Sequence, residues 1–229
     1  LLREAMGLVQ RLDPYQHPRS THTQATSSPL IADGWMTHIT HQGDSDSLAV
    51  IDYESHLLPV VNAGVGGEGV INSDELRKRM WRVAIRGSYP TYSGSADAGV
   101  QAATHLFDFF GQTRYIDLQP YYRLTGGHAL SLQYIDGFDE AKGVEYMVYM
   151  EEPGPVDLLV PKNDYDVSWF NPIDGSWLDE KKKFKGDRYR GSPPDTNHDW
   201  VLYVRREGKK ESFNKRYYLE ARRVVPKNV

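Results

Sequence analysis

Four histidines, His17, His22, His38 and His41, fall on or beside two short β-type stretches, HPRSTH and WMTHITHQ. Imidazole can serve there as metal ligand, proton carrier or hydroxyl partner. A zinc site wants three or four ligands converging at about 2.0 to 2.2 Å, commonly from a His-x-x-x-His helix or a tight loop. Neither spacing is present, so no metal and no cofactor is expected. His38 and His41 are three apart on a strand and point to opposite faces. Gln42 and Asp44 follow the same stretch. Further on, LPVVNAGVGGEG holds one carboxylate, Glu68, among Gly64, Gly66, Gly67 and Gly69, and glycines let a backbone approach a ligand closely. Arg19 is costly to bury unpaired, so it meets a carboxylate or stays exposed. Among the aromatics, Trp81 lies within a helical pattern and is expected to be packed, whereas Tyr92 ends a short strand and could wall a pocket.

The elements that must position these residues alternate. Residues 1–12 have helical apolar spacing and stop at Asp13-Pro14, since proline disfavours helix in the residue before it. HPRSTH (17–22), WMTHITHQ (35–42), LLPVVNAGV (57–65) and YPTYSG (89–94) are predicted strands. Between and after them lie helical segments: SLAVIDYESHL (47–57), SDELRKRMWRVAIRG (73–87, with Ser73 as N-cap and Gly87 as stop) and DAGVQAATHLFDFFG (97–111). Strands separated by helices imply a parallel sheet with crossovers. Beyond Gln112 the rhythm changes. HALSLQYI, VEYMVYMEE, VDLLVP, DYDVSWF, DWVLYVRRE and RYYLEARRVV follow one another without a helix, as in an antiparallel sandwich. The EKKKFKGDRYR run reads as a solvated hairpin, and Trp169 and Trp177 flank a turn, NPIDG, as core aromatics of another. Two domains are therefore expected, 1–112 and 113–229.

Composition narrows the possibilities. The 27 basic and 31 acidic residues give a net charge of −4, too balanced for the field that non-specific nucleic-acid binding uses. No run approaches the ~18 apolar residues of a membrane helix, and the first dozen residues carry charges within their apolar pattern, so neither a span nor a signal peptide is expected. The absence of cysteine excludes disulfides, thiolate metal sites and cysteine nucleophiles within this sequence. Aromatic residues make up 12%, which suits sheets first and sugar-stacking surfaces second. Four parallel strands are too few to close a barrel, and open parallel edges are poorly tolerated. The chain is thus expected to be the C-terminal part of a larger protein or one piece of an assembly.

The segments DPYQHPRSTH, WMTHITHQ, LPVVNAGVGGEG, RKRMWRVAIRGSYPTYSG, EYMVYMEEPGPVDLLV and WFNPIDGSW, in this order, resemble the apiosidase-like glycoside hydrolases. The likeness runs over nearly the whole chain. It implies α/β plus all-β architecture: the second half of a (β/α)8 TIM barrel, strands five to eight, followed by an antiparallel β-sandwich of the kind labelled collagen-binding. It also implies a periplasmic or secreted enzyme that hydrolyses side-chain sugars of plant-type polysaccharides with retention. Its partners would be a carbohydrate substrate and the missing N-terminal half of the barrel. Glycoside hydrolysis pairs an acid with a second carboxylate at strand ends facing one mouth. By resemblance these sit after strands four and seven, so the acid/base lies outside this sequence and Glu68 is the candidate nucleophile. His22, His41, Gln42, Asp44 and Tyr92 are the candidate substrate-binding residues. The chain departs from the family where Gly64 occupies the usual nucleophile position. Three readings follow: Glu68 acts from a displaced loop, Gly64 marks an altered nucleophile, or the chain is a non-catalytic carbohydrate-binding or assembly subunit.

Overall fold

A computed structural model describes residues 1–22, 25–43, 45–66, 72–92, 94, 96–113, 115–134, 142–180 and 183–206. Two compact units emerge: Leu1–Tyr115 with Pro172–Asp174, and Ile116–Asn171 with Gly175–Val229.

The first unit begins with helix α1 (Leu2–Leu12), which ends where Asp13 N–H bonds the Val9 carbonyl. The Asp13 carboxylate then accepts from the Tyr15 and His17 N–H groups and from the His17 ring. Burial would raise its pKa, but these hydrogen bonds outweigh that and hold it below the ordinary 3.8. Three parallel strands follow, β1 (Ile39–Gln42), β2 (Val60–Ala63) and β3 (Ser88–Pro90), in the order β1-β2-β3. Helix α2 (Asp46–His56) joins the first two, α3 (Ser73–Ala84) joins the next two, and α4 (Ala96–Gly111) follows the third. The cap of α3 is Asn72, not Ser73: the Asn72 side chain accepts from Glu75 N–H at 2.8 Å, so Ser73 becomes the first helical residue. Trp81 is fully buried against Phe109 and Phe110 of α4, as its helical placement implied.

The predicted strand at 17–22 does not join the sheet. Residues 19 and 20 run beside the entry to β1, with one backbone bond from Thr37 N–H to the Arg19 carbonyl and a contact of the Ser20 and Thr40 hydroxyls. The rest of that edge is taken by residues 25–27: Gln42 N–H bonds Ala25 C=O, Ser27 N–H bonds Thr40 C=O, and Thr40 N–H bonds Ser27 Oγ. Once those groups are used, no ladder is left for 17–22 to form.

Side-chain alternation divides the parallel sheet into two faces. Ile39 packs with Val60 and with Ala49 of α2, flanked by Tyr53 and Leu58. His41 and Asn62 share that face, while Thr40, Gln42, Val61 and Ala63 look the other way and stay partly or fully exposed.

The second unit is antiparallel. Its strands are β4 (Gln119–Tyr121), β5 (Leu124–Thr125), β6 (His128–Tyr134), β7 (Lys142–Met150), β8 (Val156–Phe170), β9 (Trp177–Asp179), β10 (Phe184–Gly191) and β11 (Trp200–Arg206), joined in one continuous sheet with the path β10-β8-β11-β7-β6-β4. VDLLVP and DYDVSWF, expected as two strands, form the single fifteen-residue β8. Its first half pairs with β5 and β10 and its second half with β11 and β9. Tyr146, Leu158, Tyr165, Trp169, Tyr189 and Leu202 are among the side chains of its core. The basic run pairs with acids on β8, Arg188 and Arg190 with Asp157 and Lys185 with Asp164. RYYLEARRVV lies outside the described residues.

Candidate functional site

Parallel pairing brings the ends of the three strands together. Gln42 is opposite Ala63, and Asn62 is opposite Pro90, so the segments after β1, β2 and β3 leave from one end of the sheet. Two chains of buried polar groups hold that end. In the first, Asp52 of α2 accepts from Thr26 Oγ at 2.7 Å and lies 2.6 Å from His41 Nε2. In the second, Ser88 Oγ donates to Asn62 Oδ1, and Asn62 Nδ2 donates to the Gly43 carbonyl at 3.2 Å. Gly43 N–H bonds Ala63 C=O and Thr91 N–H bonds Asn62 C=O. The exits of β1 and β2 are thus held through the buried His41 and Asn62, and that of β3 through the Thr91 backbone.

The candidate residues divide accordingly. His41 does not face a ligand: it is fully buried and its Nε2 is committed to Asp52, because its strand parity turns it toward α2. Among the described residues its buried Nδ1 has no hydrogen-bond partner. His38 is half-buried, 3.3 Å from Thr37 Oγ, and burial lowers its pKa. His22 is exposed on the segment that stays out of the sheet. Gln42 is exposed at the end of β1, on the face away from α2. Asp44 and Glu68 lie outside the described residues, on the segments that follow β1 and β2. Arg19 is buried, and its guanidinium is met mainly by the Trp35 and His17 carbonyls, with Asp13 at 3.9 Å. That makes it a brace for the first loop. Among the described residues, no group of three His, Asp or Glu side chains is placed to hold a metal ion.

Tyr92 lies two residues beyond β3, which ends at Pro90. Its ring occupies a slot between two glycines, since a Cβ on Gly99 would lie 2.4 Å from Tyr92 Cδ1 and one on Gly94 2.2 Å from its hydroxyl. The ring forms part of the wall of a cavity of about 550 Å³, otherwise lined by Met80, Thr91, Val100, Ala103 and Phe107 among others. Gly64, next after β2, has φ +72°, a conformation that side-chain-bearing residues rarely adopt.

No family model and no curated protein matches the sequence. Solved structures do match. One described as a glycoside hydrolase has a TM-score of 0.61 and 13% identity, covering 81% of this chain and 56% of its own. A glycoside hydrolase family 5 structure from Bacteroides vulgatus has a TM-score of 0.64 and 13% identity, covering 81% of this chain and 54% of its own. The fold is similar to that of glycoside hydrolases. The chain spans about half the length of these structures. Gln42, Gly64 and Tyr92 lie at or just beyond the C-terminal ends of the three parallel strands.

Of the residues at this end, sequence reasoning missed Asp52, Thr26, Asn62 and Ser88. Asn62 and Ser88 had a readable signal, as polar residues at apolar positions of short strands. Asp52 had none, because its partner lies eleven positions away across a turn. No helix among the described residues is long and apolar enough to cross a membrane.

Proposed function

We propose that this chain is the C-terminal half of an apiosidase-like glycoside hydrolase, exported from the cell and acting on side-chain sugars of plant-type polysaccharides. The observation that supports this reading is the order of the two units, a parallel β/α section followed by an antiparallel sheet, in a chain whose fold is similar to that of solved glycoside hydrolases at 13% identity. In this reading Glu68 is the nucleophile, Gln42, Asp44 and Tyr92 contact the sugar, and His22 reaches it from the first loop. The acid/base comes from sequence outside residues 1–229. Retention requires the two carboxyl groups to stand about 5 to 5.5 Å apart.

A second reading has its own support. With glycine at the usual nucleophile position and a backbone at φ +72° there, the pocket could bind carbohydrate without cleaving it.

The test is kinetic, on the complete protein. Glu68→Gln should lower turnover by several orders of magnitude while leaving substrate affinity largely intact, because only an interaction made in the transition state is removed. Undiminished turnover would dismiss Glu68. A wild-type protein that binds oligosaccharide but hydrolyses none would favour the second reading.

A further inference from the structure

Helices α3 and α4 lie side by side and run in the same direction. Trp81 meets Phe109 and Phe110 near their ends, and one to two turns earlier Asp74 and Arg77 come to face Gln101, Thr104 and His105 across a groove of about 420 Å³. The three α4 residues are spaced by three and four and so share one stripe of the helix. Arg77 is the buried part of the lining and donates to Asp74 Oδ1 at 2.7 Å. Lys78 reaches the other carboxylate oxygen at 3.3 Å, yet the Asp74 side chain remains 57% exposed. Gln101 and Thr104 are exposed and His105 is half-buried. Thr104 Oγ1 donates to the Val100 carbonyl, which leaves its lone pairs as acceptors.

These groups select a class of ligand. An anion would meet the Asp74 carboxylate, and the charge of Arg77 is already balanced by it. A cation would meet Arg77 and Lys78 beside that carboxylate. A neutral ligand dense in hydroxyls suits both, because each hydroxyl donates and accepts, and hydrogen bonds to charged groups are the stronger ones. We propose that the groove binds a stretch of neutral glycan, as an accessory contact for the polysaccharide whose side-chain sugar is taken at the strand ends. The proposal rests on the glycoside hydrolase reading and gives the polymer a second, separate place of contact. Its position fits that role: α3 opens on the segment that leaves β2 and α4 on the segment that leaves β3, so the early turns that build the groove lie toward the end of the sheet where Gln42, Gly64 and Tyr92 are.

The experiment is affinity electrophoresis of the complete protein through gels cast with xyloglucan, arabinoxylan or galactan, and with polygalacturonate as the acidic probe. Gln101→Ala and, separately, His105→Ala change side chains at the surface, where substitution costs little stability, and two variants guard against one that fails to fold. The parent should be retarded by at least one neutral polysaccharide, and each variant should bind it about fivefold more weakly, the effect of one lost hydrogen bond. Hydrolysis of p-nitrophenyl glycosides, too small to span both places, should be the same in parent and variants. Equal retardation of parent and variants would overturn the proposal. So would a parent held by none of the neutral polymers, one held more strongly by polygalacturonate, or a matching loss on the small substrates, which would place the effect at the strand ends. Sugar release from the polymer by the parent judges the hydrolase reading separately: a protein retarded through Gln101 that releases nothing keeps the groove and loses the enzyme.

Discussion

The two units bury polar groups in opposite ways. In the parallel unit the strands are three or four residues long, and its buried polar side chains, His41, Asp52, Asn62 and Ser88, tie strand exits to a helix and to one another. In the antiparallel unit the strands reach fifteen residues, and beside the buried Ser131, Glu145, Ser168 and Asp199 tyrosine hydroxyls rest on acceptors within the unit: Tyr165 on Pro161 C=O, Tyr149 on Asp199, Tyr189 on Glu180. The first unit leaves large apolar side chains in water, Leu8 and Leu12 on α1 and Val100 and Phe107 on α4. The second closes a core of its own. One unit is built to hold loops in place and depends on further packing, while the other is built to stand alone.

The largest effect should come from the autonomous core. Trp169 is buried, with its indole N–H on Glu180, and Trp169→Ala should cost about 3–5 kcal/mol. Urea unfolding should show the loss in the antiparallel unit and leave the parallel unit's transition unmoved. An equal shift of both would erase the distinction.

Next in size is the buried pair. Asp52→Ala strands His41 Nε2 and Thr26 Oγ at once, and should cost the parallel unit about 2–3 kcal/mol. Amide exchange at Thr40 and Gln42 should speed up with it, because residues 25–27 lose the Thr26 bond to α2 that steadies their bonds to β1. If the variant is as stable as the parent, the pair does not hold this strand end.

A smaller effect is a pH dependence that both units share, since burial raises Tyr53 and Tyr115 in the parallel unit as well. Burial pushes the Tyr165 pKa up to about 12 from its ordinary 10.0, with nearby Arg206 opposing and Tyr121 adding. Burial also raises Tyr146, Tyr189 and Tyr203, the last two helped by Glu180 and Glu145. A folded-state pKa above the unfolded one means stability that is complete below pH 10 and lost as pH rises toward 12. Alkaline titration should therefore weaken the antiparallel unit over that window, and Tyr165→Phe should blunt the dependence of that unit.

Local signals made much of the fold legible. Asp13-Pro14 ended α1, Gly87 closed the segment after α3, and period-two runs marked β6, β7 and β11. Pairing was less legible, because it depends on which backbone groups are already used. HPRSTH has strand composition but loses its ladder to residues 25–27, and VDLLVP and DYDVSWF fuse because β8 serves different neighbours along its length. At the candidate site, Gln42 and Tyr92 followed from strand order. His41 did not, since strand parity alone says that two histidines face apart and not which one faces α2.

The most direct measurement is denaturation of residues 1–229 with amide exchange read strand by strand. The account predicts two separated transitions, β1–β3 exchanging early and β7, β8 and β11 late, because among the described residues the open edge of the parallel unit has no partner strand and apolar side chains of α1 and α4 are exposed. A single sharp transition with equal protection across both units would contradict it.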